Sequence, residues 1–429
     1  MPASTEGHFT DPPSPAAPTT AAGSGGKSGG VSAPGRLVAP APAFLETEPT
    51  PLPEPKPAPL YDPDVVRRLP KVALHEHLDG SLRPATVLEL AHAAGYTALP
   101  ERDAGALGAW FQRGASRGSL ALYLEGFRHT IAVLQTEQAL ERAAREWIED
   151  QAADGVVYGE VRFAPRFHTL GGLGLEGVMR AVLRGLERGS VATGVGFGLI
   201  VCALRNESPT ESLKMAELAL EYRDQGCVGF DLAGEEAGHP AAAHEEAFRM
   251  VKRENFAITI HAGESFGPAS IWQALQYCGA HRIGHGVRLV EDIVLHKGEV
   301  AKVGRLAQYV LDHRVPMEIC LSSNVQTGAT PSLAEHPFPI LRRLGFRVTL
   351  NTDNRLMSAT TMTAEYMLAV KHYGLDLDDL ETLSINGMKS AFAPYAVRCK
   401  FIFERIKAPF AALRRELGLP PRRVYGQPD

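Results

Sequence analysis

The chain has 429 residues, of which 45% are hydrophobic and 22% charged, and its formal net charge is −5. This composition is typical of a globular protein with a sizeable core, and it excludes the basic surface that nucleic-acid-binding proteins usually present. The longest apolar stretch, residues 191–204, is broken by glycines and is shorter than the ~20 residues of a membrane span. We therefore expect neither a nucleic acid nor a membrane as partner.

The five cysteines indicate the compartment. Their number is odd and they form no Cys-x-x-Cys pair, which is typical of free thiols in a reducing environment. The N-terminus shows no basic segment followed by an apolar one, as a secretory signal would. We expect a cytoplasmic protein, and the sequence leaves its oligomeric state open.

Two regions differ in composition. Residues 1–60 consist mainly of Pro, Ala, Gly, Ser and Thr, which bury too little apolar surface to offset the entropy of ordering. They predict a disordered tail. In residues 61–420 apolar runs alternate with helical patterns, which predicts a single folded domain.

Eight short apolar runs in the folded region predict β-strands. They are residues 72–74, 156–163, 195–204, 228–233, 257–261, 282–285, 316–321 and 347–350. Apolar residues three and four apart predict helices between most of them, as at residues 139–148, 213–222 and 301–311. Alternating strands and helices form parallel units, so the α/β fold predicted is a (β/α)8 TIM barrel with additional helices.

The first two strands are separated by a long connection, residues 81–154, in which residues 118–127 are apolar and bounded by glycines. Long connections at the catalytic end of a barrel often act as lids. An ordinary helix packed on the barrel explains the pattern equally well.

Polar residues follow several of the predicted strands. His75 and His77 end the first strand, and because side chains alternate along a strand, both imidazoles face the same side. A His-x-His pair alone is weak support for a metal site. The carboxyl ends of barrel strands meet at one mouth, however, and acidic, histidine or amide side chains follow the first strand and several others. These are Asp79, Asp231, Glu235, His261, Glu264, His285, Asp353 and Asn354.

Three histidines and a carboxylate around an open position suit Zn²⁺. We therefore predict that His75, His77, His261 and Asp353 bind one zinc ion per chain. A bound divalent ion lowers the pKa of its water from about 15.7 to about 7, so that hydroxide forms at neutral pH.

These motifs, in order, resemble those of the adenosine deaminase family, and the similarity extends over residues 69–409. The motifs are His75-Glu-His77-Leu-Asp79-Gly80, Asp231-Leu-Ala-Gly234-Glu235, His261-Ala-Gly-Glu264, Gly284-His285-Gly286, Ser322-Ser323-Asn324 and Asn351-Thr-Asp353. The resemblance implies a zinc-bearing barrel in which hydroxide attacks purine C6 of adenosine or 2′-deoxyadenosine. The products are inosine or 2′-deoxyinosine, and ammonia.

The resemblance also implies roles for single residues. Glu264 is expected to protonate purine N1, and His285 to orient the hydroxide and stabilise charge at the attacked carbon. The Gly234 N–H is expected to bond purine N3, and Asp79 the ribose 5′-hydroxyl. His77 is expected to contact substrate as well as metal.

Asn354 departs from the family pattern, because many members carry a second aspartate there that contacts purine N7. N7 is an acceptor, and an amide donates to it without having to hold an extra proton. We expect the contact to survive.

Other polar residues receive weaker assignments. Asp231, Glu235 and Ser322 are expected either to support the site or to make structural hydrogen bonds. Histidines in helical or loop patterns are predicted to be surface or helix-end residues rather than ligands. They include His129, His168, His244 and His336.

The sequence leaves the substrate open among 6-aminopurines. Adenine and a 5′-modified adenosine, including aminodeoxyfutalosine-type intermediates, are alternatives. Asp79 favours a free 5′-hydroxyl, because a buried carboxylate repels a phosphate. A non-catalytic purine-binding protein is an alternative of another class.

Overall fold

Parallel strands that alternate with helices make up the computed structural model, which describes residues 61–296 and 299–422. The predicted tail, residues 1–60, lies outside the described residues. The strands are β1 (Lys71–His77), β2 (Val156–Phe163), β3 (Gly196–Leu204), β4 (Cys227–Ala233), β5 (Ala257–Ala262), β6 (Arg282–His285), β7 (Ile293–His296), β8 (Glu299–Val303), β9 (Met317–Ile319) and β10 (Val348–Leu350).

Eight of these strands form one parallel sheet in the order β1-β2-β3-β4-β5-β6-β9-β10. The sheet closes where Glu76 pairs with Asp353. There the His77 N–H donates to the Asp353 carbonyl at 2.8 Å, and the Asp353 N–H donates to the His75 carbonyl at 3.0 Å. The predicted (β/α)8 barrel is confirmed, and each predicted strand overlaps a strand of the barrel.

Helices surround the barrel. They are α1 (Pro63–Arg68), α2 (Pro84–Ala93), α3 (Ala104–Ala115), α4 (Leu120–Leu124), α5 (Phe127–Val133), α6 (Glu137–Ala153), α7 (Leu175–Thr193), α8 (Pro209–Glu221), α9 (Glu245–Arg253), α10 (Pro268–Gln276), α11 (Arg305–Asp312), α12 (Leu321–Gln326), α13 (Phe338–Arg343), α14 (Arg355–Ser358), α15 (Met362–Tyr373), α16 (Leu377–Ser390), α17 (Tyr395–Lys400) and α18 (Ala408–Glu416), with a π-helical segment at Phe401–Lys407. Within the described part of the chain, no helix is both long and apolar enough to cross a bilayer.

The region after β6 differs from the prediction. Residues 301–311 were predicted as one helix, but an antiparallel hairpin of β7 and β8 comes first, and α11 begins only at Arg305. The β-branched Val300 and Val303 favour a strand and pack on the core. Gly304 separates strand from helix, and its N–H donates to the Asp292 carbonyl at 2.7 Å.

The connection between β1 and β2 contains helices α2 to α6. Its apolar piece forms α4, in which Tyr123 is buried and its hydroxyl lies 2.9 Å from that of Ser358 on α14. The segment is therefore a helix packed against the element that follows β10.

Candidate active site

The four predicted metal donors lie together at the carboxyl ends of three strands. His75 and His77 are in β1, His261 is in β5, and Asp353 follows β10. One donor atom from each lies within 4.8 Å of the others. His77 Nε2 is 3.1 Å from His261 Nε2, and Asp353 Oδ1 is 3.5 Å from Nε2 of both His75 and His77.

This arrangement fits a cation. His75 Nε2 is buried and has no hydrogen-bond partner among the described residues. The Nε2 atoms of His77 and His261 face each other, and a cation bound by both would satisfy their lone pairs. Ser323 Oγ donates to Asp353 Oδ2 at 2.5 Å, which leaves Oδ1 directed to the other donors. Imidazole nitrogens with one carboxylate are a donor set for a divalent transition metal.

Buried carboxylates hold the outer nitrogens of two of the rings. His75 Nδ1 donates to Glu318 Oε2 at 2.7 Å, and His261 Nδ1 lies 3.2 and 3.1 Å from the two carboxylate oxygens of Asp231. A carboxylate only accepts, so each Nδ1 carries the ring proton. In the neutral form of each ring, Nε2 then presents a lone pair to the centre, as a metal ligand must.

Two buried arginines keep these carboxylates ionised. Arg162 donates to Asp231 at 2.9 Å and to Glu318 at 2.8 Å, and Arg282 donates to Glu318 at 2.5 Å. Burial alone would raise the pKa of Glu318, but Arg162 and Arg282 hold that pKa well below its ordinary value. Burial likewise opposes ionisation of Asp231, but His261 and Arg162 lower its pKa.

Glu264 and His285 lie beside the four donors. Glu264 Oε2 is 3.5 Å from His285 Nε2, and a donor atom from each of Glu264, His285 and Asp353 lies within 4.8 Å of the others. Burial raises the pKa of Glu264 well above its usual value, and the charges of Asp353 and Glu236 raise it further. Burial, and then the charge of His75, lower the pKa of His285 well below its usual value. These shifts favour a protonated Glu264 carboxyl next to a neutral His285 imidazole.

The backbone is strained at two of these positions. His285 and Asp353 have φ angles of 61° and 60°, in the left-handed region that costs non-glycine residues energy. Strain of about 1–3 kcal/mol per residue persists only where surrounding contacts impose it, and it clusters at functional sites.

Comparison with known proteins gives the family. A family model described as adenosine deaminase matches residues 70–409. The chain belongs to the adenosine deaminase family. It is 53% identical over 359 residues to adenosine deaminase 1 of Streptomyces coelicolor, a match that covers 82% of this chain and 90% of the relative. It is 52% identical over 355 residues to an adenosine deaminase of Mycolicibacterium vanbaalenii, covering 82% and 98% of the two chains. The crystal structure of an adenine deaminase from Arthrobacter aurescens superposes with a TM-score of 0.72 at 27% identity, covering 81% of this chain and 99% of that one.

The resemblance to adenosine deaminases gave substrate roles to Asp79, Gly234 and Asn354. These residues also lie just after the carboxyl ends of barrel strands. Asp79 is buried in the turn after β1, with Oδ2 3.6 Å from His168 Nε2 and with Oδ1 unpartnered among the described residues. Gly234 follows β4, is partly exposed and has φ of 94°, which a residue with a side chain rarely adopts. Asn354 packs over Gly80, where a Cβ would lie 1.8 Å from Asn354 Oδ1. Glycine at position 80 leaves room for this amide.

Glu236 is a site residue that sequence reasoning missed. The motif pointed to Glu235, which is exposed, whereas Glu236 is buried. Its carboxylate accepts the backbone N–H groups of residues 263–266 at 2.6, 3.0, 2.7 and 3.0 Å. Glu236 thereby holds the turn that carries Glu264. The sequence does not show which of the adjacent residues Glu235 and Glu236 faces the interior.

Arg162 and Glu318 were also missed, although a signal existed. Each is a charged residue inside a mainly apolar predicted strand, a position that requires a buried partner. Ser323, rather than the neighbouring Ser322, bonds the predicted metal donor Asp353.

Four of the histidines predicted to be surface or helix-end residues are buried, and two of them, His168 and His244, do lie at the ends of short 3-10 helices. For example, His168 Nδ1 bonds the Leu134 carbonyl at 3.0 Å, and His244 Nδ1 lies 2.7 Å from the Ser212 hydroxyl. Such hydrogen bonds satisfy the polar atoms of an imidazole inside the protein. The buried histidines of this group are His129, His168, His244 and His336.

Proposed function

We propose that this chain deaminates adenosine and 2′-deoxyadenosine hydrolytically in the cytoplasm, with residues 61–420 as its catalytic domain. The observation that carries the proposal is the meeting of four candidate metal donors with Glu264 and His285 at one barrel mouth. The raised pKa of Glu264 and the lowered pKa of His285 support it. The identity of 53% with a relative named adenosine deaminase 1 supports it. All five cysteines are free, which favours a reducing compartment.

The proposed cofactor is one Zn²⁺ ion per chain, held by His75, His77, His261 and Asp353. Three imidazoles and a carboxylate, with the outer nitrogens of His75 and His261 bonded to carboxylates, support this choice. Bound there, the ion supplies a water that loses a proton near neutral pH.

The proposed substrate contacts place purine C6 near the metal donors. The Gly234 N–H donates to N3, the Asn354 amide donates to N7, and Asp79 accepts the ribose 5′-hydroxyl. His77, at the end of β1, contacts substrate as well as metal. The buried and unpartnered Oδ1 of Asp79 supports a hydroxyl donor at this position.

Glu264 moves the proton that the reaction requires at the ring. When the water oxygen bonds to C6, the displaced electron pair reaches N1, which takes the proton of Glu264. The C6–N6 bond then breaks, the amino group leaves as ammonia, and the oxygen stays on C6 as the carbonyl of inosine. The two protons of the water restore Glu264 and complete the ammonia, so the reaction balances. His285 stabilises the charge that develops at the attacked carbon and its oxygen.

Adenine is the second candidate substrate, since the Arthrobacter aurescens neighbour is named an adenine deaminase. Adenine has no 5′-hydroxyl and would leave Asp79 buried without a donor. Rates of ammonia release from adenosine, 2′-deoxyadenosine, 5′-deoxyadenosine and adenine test the choice. We expect kcat/KM to be highest for the two nucleosides with a 5′-hydroxyl, and Asp79→Ala to reduce their advantage. A higher kcat/KM for adenine would favour the second candidate, and binding of adenosine without ammonia release would favour a non-catalytic purine-binding protein.

A further inference from the structure

Asn324, in the first turn of α12, lies between two buried histidines. Its Nδ2 is 3.0 Å from His285 Nδ1, and its Oδ1 is 3.4 Å from His336 Nε2. All three side chains are almost completely shielded from solvent. Their hydrogen bonds are therefore made with each other and with the backbone around them.

The backbone determines which way the Asn324 amide faces. The Cys320 N–H lies 3.2 Å from Asn324 Oδ1, and a peptide N–H only donates. If the Asn324 NH2 group lay there instead, it would face the Cys320 N–H, and two donors cannot form a hydrogen bond. The oxygen of Asn324 must therefore face Cys320, and its NH2 group must face His285.

A second backbone group determines the tautomer of His336. The Phe338 N–H donates to His336 Nδ1 at 3.0 Å, so Nδ1 carries a lone pair. Burial lowers the pKa of His336 to about 3, so the ring is neutral. A neutral imidazole has one proton, which must then lie on Nε2 and point to Asn324 Oδ1. His336 and Cys320 thus impose the same orientation on the amide.

The orientation of the Asn324 amide in turn determines the tautomer of His285. Because the Asn324 NH2 group donates to Nδ1 of His285, that nitrogen must carry a lone pair, so the ring proton lies on Nε2. Nε2 is the nitrogen that faces Glu264, at 3.5 Å from Oε2. We propose that Asn324, held by His336, is a positioning residue that fixes His285 as the Nε2–H tautomer. His285 then donates a hydrogen bond to the attacking oxygen and does not accept its proton. The claim about the attacking oxygen rests on the proposed function, whereas the claim about the tautomer does not.

Nitrogen NMR of the metal-loaded wild-type protein tests the tautomer, and a variant is needed only to assign the signals. Long-range proton–nitrogen spectra of protein with ¹⁵N-labelled histidine distinguish a protonated ring nitrogen from an unprotonated one, and loss of signals in His285→Asn assigns the ring. We expect a protonated Nε2 and an unprotonated Nδ1 at His285. The reverse pattern would overturn the proposal. The expected pattern in a protein that does not deaminate adenosine would contradict the proposed function and leave the tautomer assignment intact.

Two substitutions at position 336 test the positioning role. Gln places an N–H donor where His336 has Nε2, while Leu keeps the volume and removes the donor. We expect His336→Leu to lower kcat by about 10- to 100-fold, as is usual for loss of a group that orients an imidazole, with little change in KM or metal content. We expect His336→Gln to regain most of that loss. Equal kcat values in the two variants would refute the role of His336.

Asn324→Asp reverses the hydrogen bond at His285 at nearly constant volume. A carboxylate accepts, so the His285 proton would move to Nδ1 and Nε2 would lose its donor. We expect kcat to fall at least as far as in His336→Leu, and the NMR pattern to invert while metal content stays the same. Wild-type kcat and an unchanged NMR pattern in this variant would contradict the proposal. If the variant does not fold, the wild-type NMR spectrum and the His336→Leu and His336→Gln variants still test the proposal.

Discussion

Glu264 is the residue on which the proposed proton transfer depends. Burial and two neighbouring carboxylates raise the pKa of its side chain, which favours the protonated form that the proposed transfer requires. Glu264→Gln keeps the shape of the side chain but cannot transfer a proton, and we expect kcat to fall by about 10²- to 10⁴-fold. Ammonia release and metal content measure the effect and show that the metal remains bound. Glu235→Gln, at an exposed position nearby, is the control and should behave as wild type. Near-normal turnover of the Gln variant would rule out this role.

At the residue scale, the sequence predicts the metal donors better than the groups that support them. His75, His77 and His261 follow apolar runs whose strand ends meet in any barrel, so their convergence is predictable. Glu236 accepts four particular backbone N–H groups, and Asn324 is oriented by one, that of Cys320. Which of several adjacent polar residues makes such a bond depends on local backbone geometry that no periodicity encodes.

At the scale of an element, the turn after β5 depends on Glu236. This carboxylate accepts four backbone N–H groups, and its negative charge also contributes to the raised pKa of Glu264. In the proposed mechanism Glu264 works in its protonated form, so activity should persist below its pKa and be lost as pH rises through it. Glu236→Gln removes a nearby negative charge and lowers that pKa, so the alkaline loss of kcat/KM should begin at a lower pH. A pH profile of kcat/KM, with Glu235→Gln as control, measures the shift. An unmoved or raised alkaline limb would contradict this account of Glu264.

β9 carries the carboxylate at the centre of the buried network. Glu318 accepts from His75, Arg162 and Arg282, all of which are buried. Each of these arginines has a second buried carboxylate partner, Asp231 for Arg162 and Glu160 for Arg282. Glu318→Gln therefore removes charged hydrogen bonds without leaving either arginine unpaired, and we expect the free energy of unfolding to fall by about 1.5–3 kcal/mol. Because His75 loses its orienting carboxylate, metal affinity should fall by about 10- to 100-fold.

Denaturant unfolding and competition with a chelator measure these two effects. Glu335→Gln, an exposed carboxylate, is the control and should change the free energy of unfolding by less than about 0.5 kcal/mol. A Glu318→Gln protein as stable as this control would show that the network does not support the fold.

Strands and helices are easier to predict from sequence when they are long and have a clear apolar pattern. The eight barrel strands are runs of apolar residues buried on both faces, which is a strong local signal. The β7–β8 hairpin is short and partly exposed, and its few apolar residues fit a helical period as well as a strand. The local sequence pattern therefore does not distinguish a strand from a helix here. The packing of Val300 and Val303 on the core favours the strand.

For the whole molecule, closure of the barrel makes the site. The bridge between Glu76 and Asp353 brings the end of β10 beside β1, so that Asp353 meets His75 and His77 although 276 residues separate it from His77. The ion pairs of Arg162 with Asp231 and Glu318 cross the interior between strands that are not neighbours in the sheet. Sequence predicts the barrel and hence the meeting of its strand ends. It does not predict these interior pairs, because they depend on the register at which the strands close.

The most direct test of the central claim is a titration of adenosine turnover with metal. The full chain is stripped with a chelator, Zn²⁺ is added back in known amounts, and conversion to inosine is followed by ultraviolet absorbance. We predict that activity disappears on stripping and returns in proportion to added zinc, reaching a plateau at one ion per chain. Undiminished conversion by the metal-free protein, or no conversion when the ion is bound, would contradict the account.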